Sequence, residues 1–160
     1  MALFLSTTTN KVDKKGRVSV PAPFRAALGK ANEIAVFRAL HHPALEACSL
    51  KHLETLSDSL EHLNLAPEVY ELIETTIFGG AHQLPIDGDG RIVLPASLIE
   101  AVSIDEEAVF VGRRRTFQIW APKTYSSFEA KARDAAKAQN ISLSKIIADA
   151  SAFIGEGGKK

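Results

Sequence analysis

Val12-Asp13-Lys14-Lys15-Gly16-Arg17-Val18-Ser19-Val20-Pro21-Ala22-Pro23-Phe24 returns 74 residues later as Ile86-Asp87-Gly88-Asp89-Gly90-Arg91-Ile92-Val93-Leu94-Pro95-Ala96-Ser97-Leu98. The aspartate, glycine, arginine, proline and following alanine coincide, and Ala27 falls on Ala101, which makes six identities over the 17 positions from Val12 to Leu28. Average composition gives about one by chance. Most of the other pairs keep their apolar character: Val12 with Ile86, Val18 with Ile92, Val20 with Leu94, Phe24 with Leu98 and Leu28 with Val102. An internal repeat constrains architecture more firmly than local propensity does.

The likeness extends outward. Residues 33–37 lie over residues 107–111, and after a two-residue difference in length residues 44–48 meet residues 116–120, so each copy spans about 40 residues. Within a copy, a strand leads to the aspartate, the glycine at the fourth motif position permits a left-handed turn, and alternation resumes at residues 18–20 or 92–94. Pro21 and Pro95 stand where a helix can begin, because proline at a first helical position loses no bond that was not already missing. Short helices are expected over 22–28, closed by Gly29, and over 96–102. Two more strands follow in each copy, at 34–38 and 45–48, then at 108–112 and 116–120. A unit this small cannot bury an adequate core alone. The expected class is therefore α+β: two tandem repeats forming the halves of one pseudo-symmetric β-barrel, edges paired with each other and flanked by helices.

The segments outside the copies carry helical periodicity. Leu50, Leu53, Leu56, Leu60 and Leu63 recur at spacings of three and four, as do Val69, Leu72, Ile73 and Ile77 after Pro67. A helix is expected from Pro122 through Tyr125, Phe128, Ala132 and Ala135, and another over 141–154. The resulting organisation is a first repeat over 1–50, a helical connector over 51–80, a second repeat over 81–124, C-terminal helices over 125–154 and a disordered polar tail over 155–160.

Charge is unevenly spread although the net charge is zero. Residues 1–38 carry seven Lys and Arg against two acidic residues, a balance of +5, whereas residues 39–80 carry one Lys against seven acidic residues, a balance of −6. A cationic front and an acidic back suit a polyanionic partner, although an acidic solvated helix surface explains the second segment equally well. The single cysteine, Cys48, cannot form an intrachain disulfide, the apolar stretch 2–5 is too short for a signal sequence, and no run approaches the roughly 18 apolar residues of a membrane span. A cytoplasmic protein that is not bound to membrane is expected.

Two copies of Asp-x-x-Gly-Arg-hydrophobic-x-hydrophobic-Pro, each followed by a short helix, with helical segments after both, resemble the MraZ family of bacterial transcriptional regulators. That family belongs to the AbrB-like group of double-split or swapped-hairpin β-barrels. The resemblance covers about Leu3 to about Asp134, and the stretch after Gln139 departs from it. It implies a cytoplasmic, nucleoid-associated regulator that binds double-stranded DNA at short direct repeats upstream of its own operon, the division and cell-wall cluster, and self-associates into a multi-subunit ring. The family's motif arginines map onto Arg17 and Arg91 and its motif aspartates onto Asp13 and Asp87. Copy two departs from copy one in carrying Gly88-Asp89 in place of Lys14-Lys15, which leaves the second turn less cationic.

The chemistry of the motif agrees with that implication. Arginine's planar fork can donate two parallel bonds to guanine O6 and N7 or to a phosphate. The aspartate can accept from turn amides or hold the guanidinium, and Gly16 and Gly90 allow the turn itself. Arg17 and Arg91 are thus the expected readers, Lys14 and Lys15 the phosphate anchors. The plainer alternative is a hairpin turn whose arginine merely pairs with its own aspartate; a turn needs the glycine, but it does not need arginine at the same place twice. A second alternative is an antitoxin-like protein-interaction module without base-specific readout, working through the acidic helices. Arg113-Arg114-Arg115 reads as a basic hairpin tip, facing DNA, a neighbouring subunit or only solvent. No metal, cofactor or catalytic residue is expected. Asp87-Gly88-Asp89-Gly90 starts like a calcium loop but has Leu98 where the twelfth-position glutamate belongs, Cys48 and the histidines lack ligand spacing, and no nucleophile or phosphate-binding motif occurs.

Overall fold

At each motif the chain reverses at a glycine held at positive φ, +83° at Gly16 and +77° at Gly90. The strands on either side of a turn do not then zip together. In the computed structural model, which describes residues 2–157, no ladder joins β1 (Thr7–Lys11) to β2 (Arg17–Ser19): an isolated bridge from Val12, just past β1, to Val18 and a bond from Asn10 Nδ2 to the Ser19 carbonyl at 2.7 Å link them. β1 pairs instead with β7 (Glu107–Arg113) of the second copy, and β2 pairs with β6 (Arg91–Val93). Strands this short make a marginal hairpin alone, and exchanging them between copies gives each a partner backed by a core.

The remaining elements follow the repeat. α1 (Ala22–Leu28), β3 (Glu33–Arg38) and β4 (Ala44–Cys48) complete the first copy; β5 (His82–Pro85), α4 (Ala96–Ala101) and β8 (Thr116–Trp120) belong to the second. One antiparallel sheet has the order β1-β7-β8-β4-β3-β5, and β2-β6 forms a separate two-stranded ribbon. Exchanging the copies turns β1 into β5, β7 into β3 and β8 into β4, so the order reads the same from either end. The pseudo-two-fold runs through two equivalent pairs, Val18 opposite Ile92 in the ribbon and Glu46 opposite Gln118 between β4 and β8.

The expected closed barrel is not what forms. The six-stranded sheet keeps β1 and β5 as open edges, and the ribbon stands as its own ladder. Each ribbon strand is three residues long and runs within two residues into Pro21 or Pro95, which have no N–H to continue the pairing. The ribbon is too short to join the sheet edges into one continuous ladder.

β-branched and aromatic residues fit a pleated, half-buried surface, and here one sheet face sends Ile34, Val36, Leu45, Ala47, Phe110, Phe117 and Ile119 inward, all fully buried. The ribbon adds Val18 and Ile92, and the residues after it add Val20 and Leu94. α1 and α4 drop Phe24 and Leu98 into the same core. Phe24 lies between three rings, with centroids at 5.5 Å from Phe4, 4.9 Å from Phe117 and 6.4 Å from Phe110.

The opposite face buries Gln118, the one buried polar side chain among the described residues, and both of its polar atoms have partners. Its Oε1 accepts from Trp120 Nε1 at 2.9 Å and Arg113 Nη1 at 3.0 Å, and its Nε2 donates to Glu46 Oε1 at 2.7 Å. Cys48 is also buried there; burial, with the Glu46 charge adding to it, pushes its thiol up to about 11 and keeps it protonated at neutral pH.

α2 (Leu50–Glu61) starts at Ser49, whose hydroxyl accepts from the His52 amide at 3.1 Å. α3 (Pro67–Ile73) runs into a π-helical turn, Glu74–Phe78. The apolar series expected to share a buried face there is split: Ile73 and Ile77 are half-buried, whereas Val69 and Leu72 are exposed. Val69 and Leu72 lie in regular helix ahead of the π-helical turn, which therefore does not account for their exposure, while Ile73 and Ile77, four residues apart with Ile77 inside the turn, both stay half-buried. Tyr70 ties α3 to the end of α2, its hydroxyl bonded to the carbonyls of Leu60 and Leu63.

α5 (Pro122–Ala138) crosses from one compact unit, which ends at Tyr125, into a second that starts at Ser126 and contains α6 (Leu143–Gly157). α6 begins two residues later than the pattern suggests and runs through Gly155, where a polar tail was expected to start; the last three residues of that tail lie outside the described residues. No helix among the described residues is long and apolar enough to cross a membrane. The core makes a direct test possible. Phe24→Ala should cost about 3 to 5 kcal/mol in urea denaturation, while Val93→Ala, on the exposed side of the ribbon, should stay within about 0.5 kcal/mol.

Candidate nucleic-acid interface

Each turn is fastened by its own aspartate. The Asp13 carbonyl accepts from the Gly16 amide at 3.0 Å, and the Asp13 amide donates to the Arg17 carbonyl at 3.0 Å. Asp13 Oδ1 accepts from the amides of Lys15 and Arg17, both at 2.9 Å, and Oδ2 accepts from Arg17 Nε at 2.7 Å. Asp87 repeats the set: Oδ1 accepts from Asp89 N at 2.8 Å and Arg91 N at 2.9 Å, Oδ2 from Arg91 Nε at 3.1 Å. The carboxylate therefore closes the turn and fixes the direction of the arginine at once.

The glycines are required by more than φ. A Cβ on Gly16 would stand 2.6 Å from the Leu94 carbonyl oxygen, which is backbone and cannot yield. That close approach is what lets Leu94 N donate to Gly16 O at 2.9 Å, matched by Val20 N to Gly90 O at 2.9 Å. Each turn is thus pinned to the strand end of the other copy.

This pinning brings the two arginines together. Along a strand, side chains alternate between faces; Val18 and Ile92 point into the core, so Arg17, Ser19, Arg91 and Val93 point outward. Arg17 sits opposite Val93 and Arg91 opposite Ser19, diagonal neighbours about the pseudo-two-fold, a relation that sets such positions roughly 7 to 8 Å apart. Both side chains are a little over one-third exposed, and Lys14 and Lys15 stand exposed at the first tip.

The tips differ in what is left to donate. With Nε on Asp13, neither Nη of Arg17 has a partner among the described residues, whereas Arg91 Nη2 meets Asp89 Oδ2 at 3.3 Å. Arg25 also belongs to this region, which the motif did not reveal. Its guanidinium lies flat over Gly90, with three atoms 2.6 to 2.8 Å from where a Cβ would stand, and its Nε donates to the Val20 carbonyl at 3.1 Å. A signal existed: Arg25 aligns with Ile99, which sits in the same place over Gly16, and this is one of the repeat pairs that changes character.

The Arg113–Arg115 tip is a tight reversal between β7 and β8, with Arg114 at φ +75° and bonded through its backbone to Phe4. Arg113 is turned inward onto Gln118. Among the described residues no group of three or more His, Cys, Asp or Glu comes together to hold a metal.

Hydrogen bonds to the charged form hold both turn carboxyls below the usual aspartate value of 3.8, for Asp13 chiefly the Arg17 amide and then its side chain, for Asp87 chiefly the Arg91 amide. A depressed carboxyl stabilises the fold fully above the unfolded value, and the contribution is lost as pH falls through the lower folded value. Carboxyl 13C titration should place both midpoints under 3.8. Arg17→Ala should move the Asp13 midpoint up only part of the way, because the backbone bond survives, and should leave that of Asp87 in place; an Asp13 midpoint at 3.8 or above in the unaltered protein would contradict the geometry.

The comparison with known proteins agrees with the doubled motif. The family model described as "MraZ protein, putative antitoxin-like" matches residues 3–68 and 77–144, so the match runs past Asp134, where the sequence resemblance was drawn to end. A protein of Rickettsia akari (strain Hartford) named "Transcriptional regulator MraZ" is 42% identical over 145 residues, 89% of this chain and 97% of its own length. Proteins of the same name from Rickettsia bellii (strain OSU 85-389) and Rickettsia typhi (strain ATCC VR-144 / Wilmington) are 41% identical over 146 residues and 39% over 148, covering 89% and 91% of this chain. These relatives are named as regulators, not as enzymes. With two repeats matched and near-complete coverage on both sides, the chain belongs to the MraZ family of transcriptional regulators.

Proposed function

We propose that this protein regulates transcription by reading short direct repeats in double-stranded DNA upstream of its own operon, the division and cell-wall cluster, through Arg17 and Arg91. The observation that carries the reading is the shared outward face of the ribbon, on which both arginines stand as diagonal neighbours, each already aimed by its aspartate. With Nε occupied, the outer nitrogens of Arg17 remain to meet guanine O6 and N7 or a phosphate. Lys14 and Lys15, exposed beside it, neutralise flanking phosphates and set register without reading bases. Asp13, Asp87, Gly16 and Gly90 hold the turns in shape. The reading makes the protein cytoplasmic and nucleoid-associated.

Two arginines are not sufficient alone. A good bidentate pair contributes about 1 to 3 kcal/mol of base discrimination, against the roughly 4 to 10 kcal/mol that separates specific from non-specific binding. Several subunits must engage several repeats, with avidity gains on the order of 10² to 10⁴, and a ring closed by a heterologous interface would space the tips regularly. The exposed Leu143, Ile146 and Ile147 on α6 offer apolar surface for such contacts.

The test is a gel shift with DNA from upstream of the protein's own coding region against a scrambled duplex. Arg17→Ala with Arg91→Ala should abolish the preference, and wild-type affinity should fall with added salt at a slope of about −0.9 for each phosphate neutralised. Binding that ignores both substitutions would favour the antitoxin-like interaction module, which the exposed Val69 and Leu72 on acidic α3 would then serve. A stable monomer with full affinity would refute the multi-subunit step.

A further inference from the structure

The two turns share a backbone and differ at two tip residues, of which the second bears on the arginine. Lys15 and Asp89 occupy the same place in the repeat, and their amides donate to the same aspartate oxygen, Lys15 N to Asp13 Oδ1 at 2.9 Å and Asp89 N to Asp87 Oδ1 at 2.8 Å. Only the side chains diverge. Lys15 adds a cation beside Arg17, whose outer nitrogens have no partner among the described residues. Asp89 places a carboxylate on Arg91: Nη2 lies 3.3 Å from Asp89 Oδ2 while Nε lies 3.1 Å from Asp87 Oδ2. One bidentate edge of Arg91 is therefore filled by two acids. Asp89 is 80% exposed, so the fold does not bury it, and it stands at the tip of the turn that carries Arg91.

We propose that Asp89 is a specificity-determining residue, which holds the outer nitrogen of Arg91 in the free protein and keeps the second turn off DNA backbone until a base edge takes its place. The proposal rests on the DNA-reading role given above. Its physics is the difference between the two acceptors DNA offers. A phosphate is anionic, and the Asp89 carboxylate beside Arg91 repels it. Guanine O6 and N7 are neutral, and they compete for the guanidinium without that repulsion. An exposed ion pair is weak enough for such an exchange. The first turn, with Lys14, Lys15 and no acid but Asp13, binds backbone readily and anchors; the second engages where the sequence is right.

The experiment compares Asp89→Asn and Asp89→Lys with the unaltered protein by fluorescence anisotropy, on the upstream duplex and on a scrambled duplex of equal length and composition, over a range of salt. Asp58→Asn and Asp58→Lys on α2 make the same two changes of net charge away from the turns. Because Lys15 already occupies the equivalent place with the same backbone bonds, the fold accommodates the lysine. Asp89→Asn should tighten binding to the scrambled duplex severalfold and Asp89→Lys on the order of tenfold, with a salt slope steeper by about 0.9 for the phosphate newly met. Binding to the upstream duplex should change less, so that the ratio of the two affinities falls, and Asp58→Asn and Asp58→Lys should leave that ratio alone. An unchanged ratio in both Asp89 variants, or a loss of upstream binding, overturns the proposal while the arginine reading stands. Wild-type affinity in the Arg17→Ala, Arg91→Ala protein overturns the reading and the proposal with it.

Discussion

Everything in this molecule depends on the antiparallel pairing of Arg17–Ser19 with Arg91–Val93, a ladder between strands from different copies. It turns Val18 and Ile92 into the core. It brings Gly16 against the Leu94 backbone and Gly90 against Val20, and so anchors each turn on the opposite half. The same alternation that buries the valine and isoleucine sends both arginines outward on one face. Core formation and presentation of the site are one event, because neither copy can seat its turn without the other.

Symmetry in the backbone is joined to asymmetry in the side chains, most clearly at the axis. Where the pseudo-two-fold crosses β4 and β8, equivalent residues must face each other, and two identical glutamates there would set like charges opposite one another. Glu46 faces Gln118 instead, so that an amide donates to a carboxylate, and the glutamine's remaining oxygen serves Trp120 and Arg113. The turns diverge in the same way. Copy one keeps Lys14 and Lys15 where copy two has Gly88 and Asp89, and Ile99 covers one glycine where Arg25 covers the other. A duplicated chain is free to vary each half separately, which a pair of identical subunits is not.

Much of the fold was legible in advance. Apolar alternation and the prolines gave the strands and short helices of both copies within a residue or two, since these signals are local. The reading failed where a distant constraint prevailed. The stripe that spacing draws as continuous through Val69, Leu72, Ile73 and Ile77 is half-buried only at Ile73 and Ile77, because no element among the described residues covers the first two, and the ribbon ends before it can complete a barrel, because Pro21 and Pro95 stop a ladder only three residues long. At the site, the aspartate, glycine and arginine of each turn were legible because the motif is compact and occurs twice. Arg25 was not, because its exchange for Ile99 in the repeat marks a changed position without saying which remote turn the side chain will cover.

The sequence by itself determined that there are two equivalent units, where each turn falls, and which residues are apolar on which side of each strand, for these follow from composition and from periods of two and 3.6. Only the tertiary structure decided which strand pairs with which. A short alternating segment satisfies its hydrogen bonds equally well with its neighbour in sequence or with its counterpart 74 residues away, and the choice falls to burial of a shared core, a property of the whole chain that no single segment contains.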